Sequence, residues 1–433
     1  MRISESVYEL LTNDEDARLC EEIGDDACRE APQSFVLTLV SNSLTKLGDA
    51  IASPKTTLAW LTSLVGAPAF VLGLIVPIRE SGSMIPQLFI GSVIRRLPIR
   101  KWAWVTGSIG QAACIVGMGF VAISLTGATA GWAIIGLVAL FSFFRGFCSV
   151  AAKDVLGKTI PKPRRGQLTG WSASAAGLLS VGIGVLIMTS VGDQLDGSLL
   201  SLLLFGAAGL WLLAAAMYSR LPEQAGETDG GRNILEALGQ LKLIVVDRPF
   251  RRFVITRALL MCSALSAPFY VALAQQNLGS PAYLLGAFIV AAGIAGLVSA
   301  PVWGRYADTS SKSVMITAAL ITSSVGVFVL AVNRSMPAVS GTTWFLPTAY
   351  FVLSLAHSGV RVGRKTYVVN LGSGNRRTDY VAISNTVIGV LLLLVGTVGA
   401  LAPVVGNDGV IGLLGLMGLV GAVYGTTLPD VEA

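Results

Sequence analysis

Long apolar runs alternate with short polar stretches along almost the whole chain. The runs cover residues 34–58, 66–91, 103–125, 131–156, 168–191, 198–220, 253–276, 281–303, 314–333, 343–363, 380–402 and 409–427. A helix of about 20 apolar residues crosses about 30 Å of hydrocarbon, so the pattern predicts twelve transmembrane helices, which we number span one to span twelve. Such long continuous runs exclude the shorter alternating strands of a membrane β-barrel. The predicted fold class is an all-α polytopic membrane protein.

The polar stretch 221–252 divides the twelve spans into two groups of six. Apolar residues recur within it at helical spacing, at Ile234, Leu235, Leu238, Leu241 and Val245. This spacing predicts an amphipathic helix on the membrane surface that serves as a linker. The predicted organisation is an acidic cytosolic tail at 1–33, a six-helix bundle at 34–220, the linker at 221–252, a second six-helix bundle at 253–427 and a short tail at 428–433.

The composition favours a membrane protein over a soluble one. Of the 433 residues, 53% are hydrophobic and 13% are charged, and the mean hydropathy is +0.70. Soluble domains carry about 25% charged residues, so this chain lacks the polar surface of a soluble enzyme. The five cysteines are scattered, and their spacing predicts neither a metal site nor a disulfide framework.

The charges are distributed unevenly along the chain. Residues 1–33 contain ten acids and three bases, a net charge of −7, and the remaining residues carry +13. That acidic opening has no basic segment followed by an apolar core, so it does not read as a cleaved signal peptide. Twenty basic residues fall in loops on one face of the predicted topology, and two, Lys55 and Arg334, fall on the other. Since basic loops stay in the cytosol, both termini are predicted to be cytosolic, in a plasma or inner membrane.

The two halves of the chain contain an internal repeat. Gly66–Gly91 aligns without a gap with Gly279–Gly304 at an offset of 213, and six positions are identical. A second alignment, at an offset of 212, places Arg145–Leu179 over His357–Leu391. Two six-helix bundles repeated in parallel form one known transporter architecture.

A loop between spans eight and nine adds a family resemblance. The sequence Trp303-Gly-Arg-Tyr-Ala-Asp308-Thr-Ser-Ser-Lys312 is similar to the G-x-x-x-D-x-x-x-[RK] loop of the major facilitator superfamily (MFS), and the chain resembles that family over residues 34–427. The resemblance implies the MFS fold and a secondary transporter that works by alternating access. It also implies a cytosolic gate in which Asp308 faces the start of span eleven, where a helix N-terminus favours an acid. The implied gate residues are Gly304, Asp308, Lys312, Arg376 and Arg377.

Two features depart from the family pattern. The equivalent loop of the first half has Arg95 where the Asp belongs. Span five, around Gly177–Gly184, lacks the Gly-Pro pair of antiporter-type members. The resemblance therefore implies a gate motif in the second half alone and gives no antiporter signature.

Polar and ionisable residues at membrane depth are costly, so they mark candidate sites for substrates and protons. These residues are Asn42, Lys46 and Asp49 in span one, with Arg79 and Glu80 in span two, Arg145 in span four and His357 in span ten. Arg145 resembles the family's span-four arginine, which works beside a span-one acid in proton-driven members. We predict that Arg145 binds an acid of span one or two and that His357, its counterpart in the repeat, faces the central cavity. The alternative is a structural role, with the charges in buried ion pairs and His357 as a packing residue.

Among the mid-span residues three cations oppose two acids, so the cavity is predicted to favour an anionic or zwitterionic organic solute. The predicted proton-coupling residues are Asp49, Glu80, Arg145 and His357, and Asp49→Asn is expected to uncouple transport from a pH gradient. The predicted substrate-binding residues are Asn42, Lys46, Arg79, Arg145, Tyr270, His357 and Arg361. Lys153, Asp154, Arg257 and Arg364 lie near the cytosolic ends of their spans, where long side chains reach water, and are set aside.

The predicted function is proton-coupled transport, with a small-molecule substrate, protons and the lipid bilayer as partners. We expect a monomer without a nucleic-acid partner, and we predict no catalytic residue, metal site or cofactor, because the single histidine has no metal-ligand partner and no nucleotide-binding loop is present. Two other transporter classes stay open. A multidrug or metabolite exporter would use an aromatic cavity, for which Phe143, Phe144, Phe269 and Tyr270 are candidates, and a lipid-handling transporter would move lipid without a pH gradient.

Overall fold

A computed structural model describes residue 8 and residues 28–190, 195–226, 228, 240–372 and 375–432. Within this part of the chain the protein is helical and has no β-strand. The helices of the first half are Ala31–Ile51, Thr57–Leu64, Ala69–Met84, Gln87–Ile94, Lys101–Ser124, Gly127–Thr159, Lys162–Ser190 and Gly197–Ser219. Those of the second half are Leu243–Val246, Arg248–Leu259, Cys262–Leu265, Ala267–Leu278, Ala282–Thr309, Ser311–Ser335, Pro337–Ser340, Phe345–Leu371, Asn375–Gly396 and Ala402–Gly425, with 3-10 turns at Gln240–Lys242 and Thr397–Leu401.

The described helices form twelve membrane segments, as the hydropathy pattern predicts. Nine stretches of the described chain are long and apolar enough by themselves to cross a bilayer, and one of them, Tyr380–Gly425, contains both span eleven and span twelve. Spans one and ten complete the set, at residues 31–64 and Phe345–Leu371, and both carry charged residues of the predicted site. The protein is therefore a multi-pass membrane protein with an all-α fold.

Span one is longer than predicted and is broken near its centre. It consists of the helices Ala31–Ile51 and Thr57–Leu64, joined by an irregular stretch that contains Pro54. A proline restricts the residue before it and has no N–H to donate, so the helix is interrupted at this point. The predicted end of span one at residue 58 is wrong, and Lys55 lies within the membrane segment rather than in a loop.

The alternation of twelve spans places most basic loops on one side. The connections at 95–100, 160–161, 221–226, 240–247 and 310 lie on the same side as the start of span one, and we call this side the basic face. The other side, the opposite face, carries Arg334. With Lys55 moved into the membrane, Arg334 is the single loop base counted on that side.

Several other boundaries differ from the predicted ones. Span two is interrupted at Ile85 and Pro86, span seven is divided into three consecutive helices, and span four is extended to Gly127–Thr159. In the linker, the described residues are helical from Gln240 onward, and Val245 is exposed. The positions Ile234, Leu235 and Leu238 of the predicted amphipathic helix lie outside the described residues.

The two six-helix bundles meet along spans five and eight and along spans two and eleven. Gly184 and Gly286 bring spans five and eight into backbone contact, and Gly73 packs in the same way against Gly396 and Gly399. A Cβ added to Gly73 would lie 2.6 Å from the Cα of Gly399, so a side chain there would push the helices apart. Small residues allow membrane helices to approach this closely. The crossings at Gly73 and Gly184 lie in the half of the membrane near the opposite face, and the contacts of Gly177 with Leu297 and of Gly389 with Ile85 extend to the middle of these spans.

The internal repeat is visible in matched backbone features. Gly66 and Gly279 adopt positive φ angles of 65° and 77°, a conformation that favours glycine. Two residues later, Pro68 and Pro281 occupy the N-cap positions of spans two and eight. The alignment at an offset of 213 thus joins positions with the same local structure.

Each bundle also ends in a short segment that caps its own third helix. In the first bundle, Glu223 accepts hydrogen bonds from the backbone N–H groups of Arg100 and Lys101, at 3.0 and 2.7 Å, and from Lys158 Nζ at 3.0 Å. The Glu223 side chain is completely buried. Lys101 Nζ donates to the carbonyl of Leu221 at 2.7 Å, which fastens the end of span six to the start of span three.

The second bundle has a matching segment at its end. Glu432 accepts a hydrogen bond from the backbone N–H of Ser311 at 3.1 Å, and Lys312 Nζ donates to the carbonyl of Leu428 at 2.6 Å. The lysines of the two halves therefore bind equivalent leucine carbonyls, just after spans six and twelve. An acid at a helix N-terminus satisfies free N–H groups and interacts favourably with the helix dipole.

The Glu223→Gln variant is expected to unfold at a lower temperature than the wild type. Glutamine keeps the shape of the side chain but removes the charge that three donors share, and a hydrogen bond to a charged group is worth about 1.5–3 kcal/mol. The midpoint of thermal unfolding in detergent measures the effect. Glu30→Gln is the matched control, because the side chain of Glu30 caps no helix, and an equal midpoint for both variants would contradict the assigned cap.

Two described residues near the start of the chain differ from the expected solvated tail. Tyr8 is buried, and its ring meets that of Phe35 edge-on at 5.3 Å. Cys28 is disulfide-bonded, which the scattered cysteine spacing did not predict, whereas Cys114 and Cys148 are free thiols. Tyr8 is therefore packed against the beginning of span one.

Candidate functional site

A cavity separates the two bundles on the side of the basic face. Gly170 of span five and Gly304 of span eight lie in the basic halves of their helices, and a Cβ added to either would meet no atom within 4 Å. At the opposite face the same two spans touch through glycine, and the N–H of Leu195 donates to the carbonyl of Ser280 in the other bundle. The bundles are therefore in contact at the opposite face, and the exposed fractions of the Arg145, Asp49 and Arg361 side chains show that the space between the bundles is accessible from the basic face.

Asp49 of span one lies at the centre of the charged site. Its Oδ1 accepts a hydrogen bond from Arg79 Nη2 at 2.8 Å, and both of its carboxylate oxygens accept from Arg145 Nη1 at 2.6 Å. The predicted binding of Arg145 to an acid of span one is present. Arg79 pairs with this same acid rather than with its sequence neighbour, Glu80. Charge-assisted bonds of this length are strong, so they tie spans one, two and four together.

The two arginines that share Asp49 differ in their access to water. The side chain of Arg79 is 9% exposed, and its guanidinium carbon lies 4.3 Å from the ring centroid of Phe141. The side chain of Arg145 is 37% exposed and that of Asp49 is 25% exposed. Arg145 uses one guanidinium nitrogen on Asp49, which leaves N–H groups for a ligand in the cavity. Arg79 therefore holds Asp49 in position, and Arg145 presents a positive charge that a ligand in the cavity can reach.

Lys46 lies on the same helix as Asp49 but does not pair with it. Its Nζ donates to Ser172 Oγ at 2.8 Å and to the carbonyl of Thr169 at 3.2 Å, both on span five. Neither acceptor carries a charge, so the positive charge of Lys46 is not neutralised by its hydrogen bonds. Asn42, one turn nearer the basic face, is half-buried, and its side chain makes no hydrogen bond with the described residues.

A smaller cavity of about 190 Å³ adjoins the break in span one. Its lining consists of Ser53, Lys55, Ser263, Ala267, Ala292, Gly296, Tyr350, Leu353, Ser354, His357, Ser358 and Arg361. We call it the span-one pocket. His357 lines this pocket, and its Nδ1 lies 3.0 Å from the hydroxyl of Ser263, so the orientation of His357 toward the central cavity stays a prediction. The lining combines two cations and four serine hydroxyls, and none of its residues is a carboxylic acid.

Glu80 is the second acid at this depth. It lies within electrostatic range of Lys55, Arg364 and Arg145. No hydrogen bond or ion pair joins its carboxylate to another residue in the described part of the chain. Glu80 is therefore surrounded by cations without being bound to one of them, in contrast to Asp49.

The charged residues at membrane depth form one group, which we call the central charge cluster. We define it as Lys46, Lys55, Arg79, Arg145, Arg361, Arg364, Asp49 and Glu80, which are connected by ion pairs or by electrostatic range. Two further cations, Arg257 and Lys365, lie within electrostatic range of Glu80 at its edge. Six cations and two carboxylates give this cluster a net charge of +4. Arg361 is exposed to the cavity and makes no ion pair among the described residues. The excess positive charge exceeds the mild excess that the sequence predicts.

Tyr270 does not reach the cavity, although it is among the predicted substrate-binding residues. Its side chain is completely buried, and its ring centroid lies 6.5 Å from that of Tyr350. Tyr350 lines the span-one pocket in its place. The helical spacing of residues in span seven could not show that Tyr270 is buried, because the span is divided into three helices and not one continuous one.

The predicted gate is only partly within the described residues. The side chains of Asp308, Arg376 and Arg377 lie outside them, so the contact between Asp308 and span eleven stays a prediction. Gly304 has open space around its Cα. Lys312 donates to the carbonyl of Leu428, just after span twelve.

Sequence reasoning missed two cations of the site. Lys55 was placed in a loop, although Pro54 beside it signals an interrupted helix. Arg364 was set aside as a residue near a membrane surface, yet it lies within the helix Phe345–Leu371 and within electrostatic range of Glu80. Arg257, set aside for the same reason, is buried and donates to Ser384 and Asn385 of span eleven.

Comparisons with known proteins agree with this architecture. The family model described as Major Facilitator Superfamily matches residues 38–387. Among solved structures, the chain is similar to a D-xylose-proton symporter, with a TM-score of 0.69 and 14% identity over 92% of this chain and 98% of that one. It is also similar to the xylose transporter XylE from E. coli in an inward open conformation (TM-score 0.68, 16% identity, 92% and 97% covered). A third structure is the nucleoside transporter NupG (TM-score 0.69, 13% identity, 90% and 99% covered).

A search of curated proteins found no match to the sequence. At 13–16% identity the three structures establish a common fold and leave the substrate open. The geometry of the charged cavity is therefore the evidence that bears on what is bound.

Proposed function

Because the chain belongs to the Major Facilitator Superfamily, we propose that it is a secondary transporter that moves a small organic anion by alternating access. The observation that carries the proposal is the central charge cluster, in which six cations oppose two carboxylates at membrane depth. Charges inside a membrane are usually paired or mark the path of a substrate or ion. Asp49 neutralises part of the positive charge through its ion pairs with Arg79 and Arg145. An anionic substrate would neutralise part of the positive charge that is left.

The span-one pocket supports a substrate of modest size. Its volume of about 190 Å³ corresponds to about six water molecules at about 30 Å³ each. Lys55 and Arg361 supply positive charge, and the surrounding serine hydroxyls can donate to carboxylate or phosphate oxygens. A multidrug exporter fits this lining less well, since Phe143, Phe144 and Phe269 are absent from it.

We assign proton coupling to Glu80 in preference to Asp49. Protonation of Asp49 would break its bonds to two guanidinium groups, which are strong because both partners are charged. Protonation of Glu80 breaks no direct bond within the described residues and makes the central charge cluster more positive. Binding of a proton and binding of an anion would then favour each other, as linkage requires for symport.

The proposed transport cycle uses the two bundles as its moving units. Residues 34–220 and 253–427 would rock about the cavity, with the stretch 221–252 as the linker between them. The excess of basic loops supports a cytosolic basic face and cytosolic termini in a plasma or inner membrane. The protein would act as a monomer, because each chain carries both bundles of one cavity.

The function is tested with purified protein in lipid vesicles. Uptake of radiolabelled malate, 3-hydroxybutyrate and erythritol is compared with and without an acidic exterior. The proposal predicts uptake of at least one of the two anions, faster with the pH gradient, and none of the neutral erythritol. Uptake of erythritol in preference to both anions would overturn the anionic assignment.

The Lys55→Gln variant is expected to bind the transported anion much more weakly than the wild type. Its KM should rise about 10- to 100-fold, because a hydrogen bond to a charged group is worth about 1.5–3 kcal/mol. Initial uptake rates over a range of anion concentrations give the KM. Lys242→Gln removes the same charge from an exposed position outside the cavity and serves as the control. A KM for Lys55→Gln equal to that of the control would exclude Lys55 from the binding site.

A further inference from the structure

The charge balance of the cavity has a consequence for how the empty protein can move. In the structure the central charge cluster is open to water at the basic face, and the exposed fraction of Arg145 and Asp49 shows that water reaches it. Alternating access requires the basic face to close before the opposite face opens. During that change the cluster passes through a state in which both faces are shut.

Closure removes the water that stabilises the excess charge. The Asp49 carboxylate already accepts hydrogen bonds from Arg79 and Arg145, and Glu80 is a single carboxylate among several cations. Among the described residues, no carboxylic acid lines the span-one pocket, where the positive charges of Lys55 and Arg361 repel each other. Enclosing like charges without counter-ions is unfavourable, because desolvation penalises each charge and the repulsion between them grows as water leaves.

A bound anion changes this balance. One carboxylate or one phosphate ester placed between Lys55, Arg145 and Arg361 supplies the missing counter-charge at the moment of closure. A single negative charge leaves most of the excess of +4 in place, whereas two or more negative charges on one small molecule neutralise at least half of it. The closed state is therefore reached most readily with a multivalent anion inside.

We propose that this protein transports small organic anions that carry at least two negative charges, and that it exchanges them across the membrane much faster than it moves them in one direction only. The inference rests on the proposed anion transport and adds both the valence of the substrate and the mode of transport. The loaded protein changes conformation in either direction, and the empty protein does so slowly. Exchange of an internal anion for an external one is then much faster than net movement.

The test compares exchange with net uptake in vesicles that contain the purified full-length protein. Uptake of external radiolabelled malate is measured into vesicles loaded with unlabelled malate and into vesicles loaded with buffer alone. Valinomycin and equal potassium on both sides hold the membrane potential at zero, so that accumulated charge does not limit net uptake. The expected result is uptake about tenfold or more faster into the malate-loaded vesicles.

The choice of anion tests the valence and separates two chemical sources of charge. Glycerol 3-phosphate replaces malate in a second arm, and the singly charged 3-hydroxybutyrate replaces it in a third. Exchange with either or both of the first two, and little with 3-hydroxybutyrate, is the expected pattern. Equal exchange of 3-hydroxybutyrate would overturn the requirement for two charges.

The variant Arg361→Gln tests the electrostatic cause. It lowers the excess charge by one at an exposed position in the cavity, so the ratio of exchange to net uptake should fall several-fold even if both rates decline. Because the ratio is formed within one preparation, loss of folded protein does not change it. Arg248→Gln, which removes an exposed arginine at the start of span seven, is the control and should keep the wild-type ratio.

The outcomes distinguish this inference from the proposed function. Net uptake of malate as fast as exchange would overturn the preference for exchange and leave anion transport standing. Absence of malate and glycerol 3-phosphate uptake under every loading condition would overturn this inference, and absence of 3-hydroxybutyrate uptake as well would overturn the proposed anion transport. An unchanged ratio in Arg361→Gln would reject the charge excess as the reason for exchange.

Discussion

Replacing Arg145 by alanine is expected to abolish anion uptake, and replacing it by lysine is expected to restore little of it. Arg145 holds both oxygens of Asp49 through one guanidinium nitrogen and still faces the cavity. Lysine carries the same charge but lacks the planar fork that can bind Asp49 and a substrate anion together. A hydrogen bond to a charged group is worth about 1.5–3 kcal/mol, and alanine loses both bonds to Asp49 as well as the contact with the anion, so the uptake rate should fall by about 100-fold or more.

Uptake by vesicles, together with the amount of folded protein that each variant yields, measures this effect. Arg220→Ala removes an exposed arginine at the end of span six and provides the matched control. A purely structural role for Arg145 would lower the thermal midpoint and the uptake in proportion. The role in binding instead predicts that Arg145→Lys keeps a midpoint near that of the wild type while its KM rises. Wild-type uptake by Arg145→Ala would contradict both roles.

The sequence was sufficient to predict the fold class because hydropathy and charge report it independently. Apolar runs set the number of spans, and the loop bases fixed which connections share a face. The repeat was also readable, since Gly66 and Gly279 adopt the same positive-φ conformation in both halves. Each of these features depends on residues that are close together along the chain, so the sequence alone is enough to predict it.

The site was less predictable because it depends on where helices are interrupted. Lys55 belongs to the cavity only because the helix breaks around Pro54, and a continuous helix would place it elsewhere. The pairing of Asp49 with Arg79 and Arg145 was only partly foreseen, since partner choice depends on how spans one, two and four cross. Tyr270 was wrongly assigned to the cavity for a related reason. Span seven is broken into three helices, and the buried ring of Tyr270 lies 6.5 Å from the ring of Tyr350, which lines the pocket in its place.

The Glu80→Gln variant is expected to lose the acceleration of uptake by a pH gradient, whereas Asp49→Asn is expected to lose uptake with or without the gradient. Glu80 makes no direct bond within the described residues, so glutamine mimics its protonated form at little structural cost. Asparagine at position 49 would instead leave Arg79 and Arg145 without their shared counter-charge. This reverses the assignment made from sequence, in which Asp49 was the first candidate for coupling.

The measurement is anion accumulation in vesicles at a series of imposed pH gradients. With one coupled proton, the wild-type accumulation ratio should rise up to about tenfold for each unit of pH difference, because one unit corresponds to 1.36 kcal/mol. For Glu80→Gln the slope should be flat, while exchange of internal for external anion at equal pH continues because Arg145, Lys55 and Arg361 are intact. A full wild-type slope in Glu80→Gln would place the proton on another group. A flat slope with preserved exchange in Asp49→Asn would return the coupling role to Asp49, since uptake would then have survived without its ion pairs.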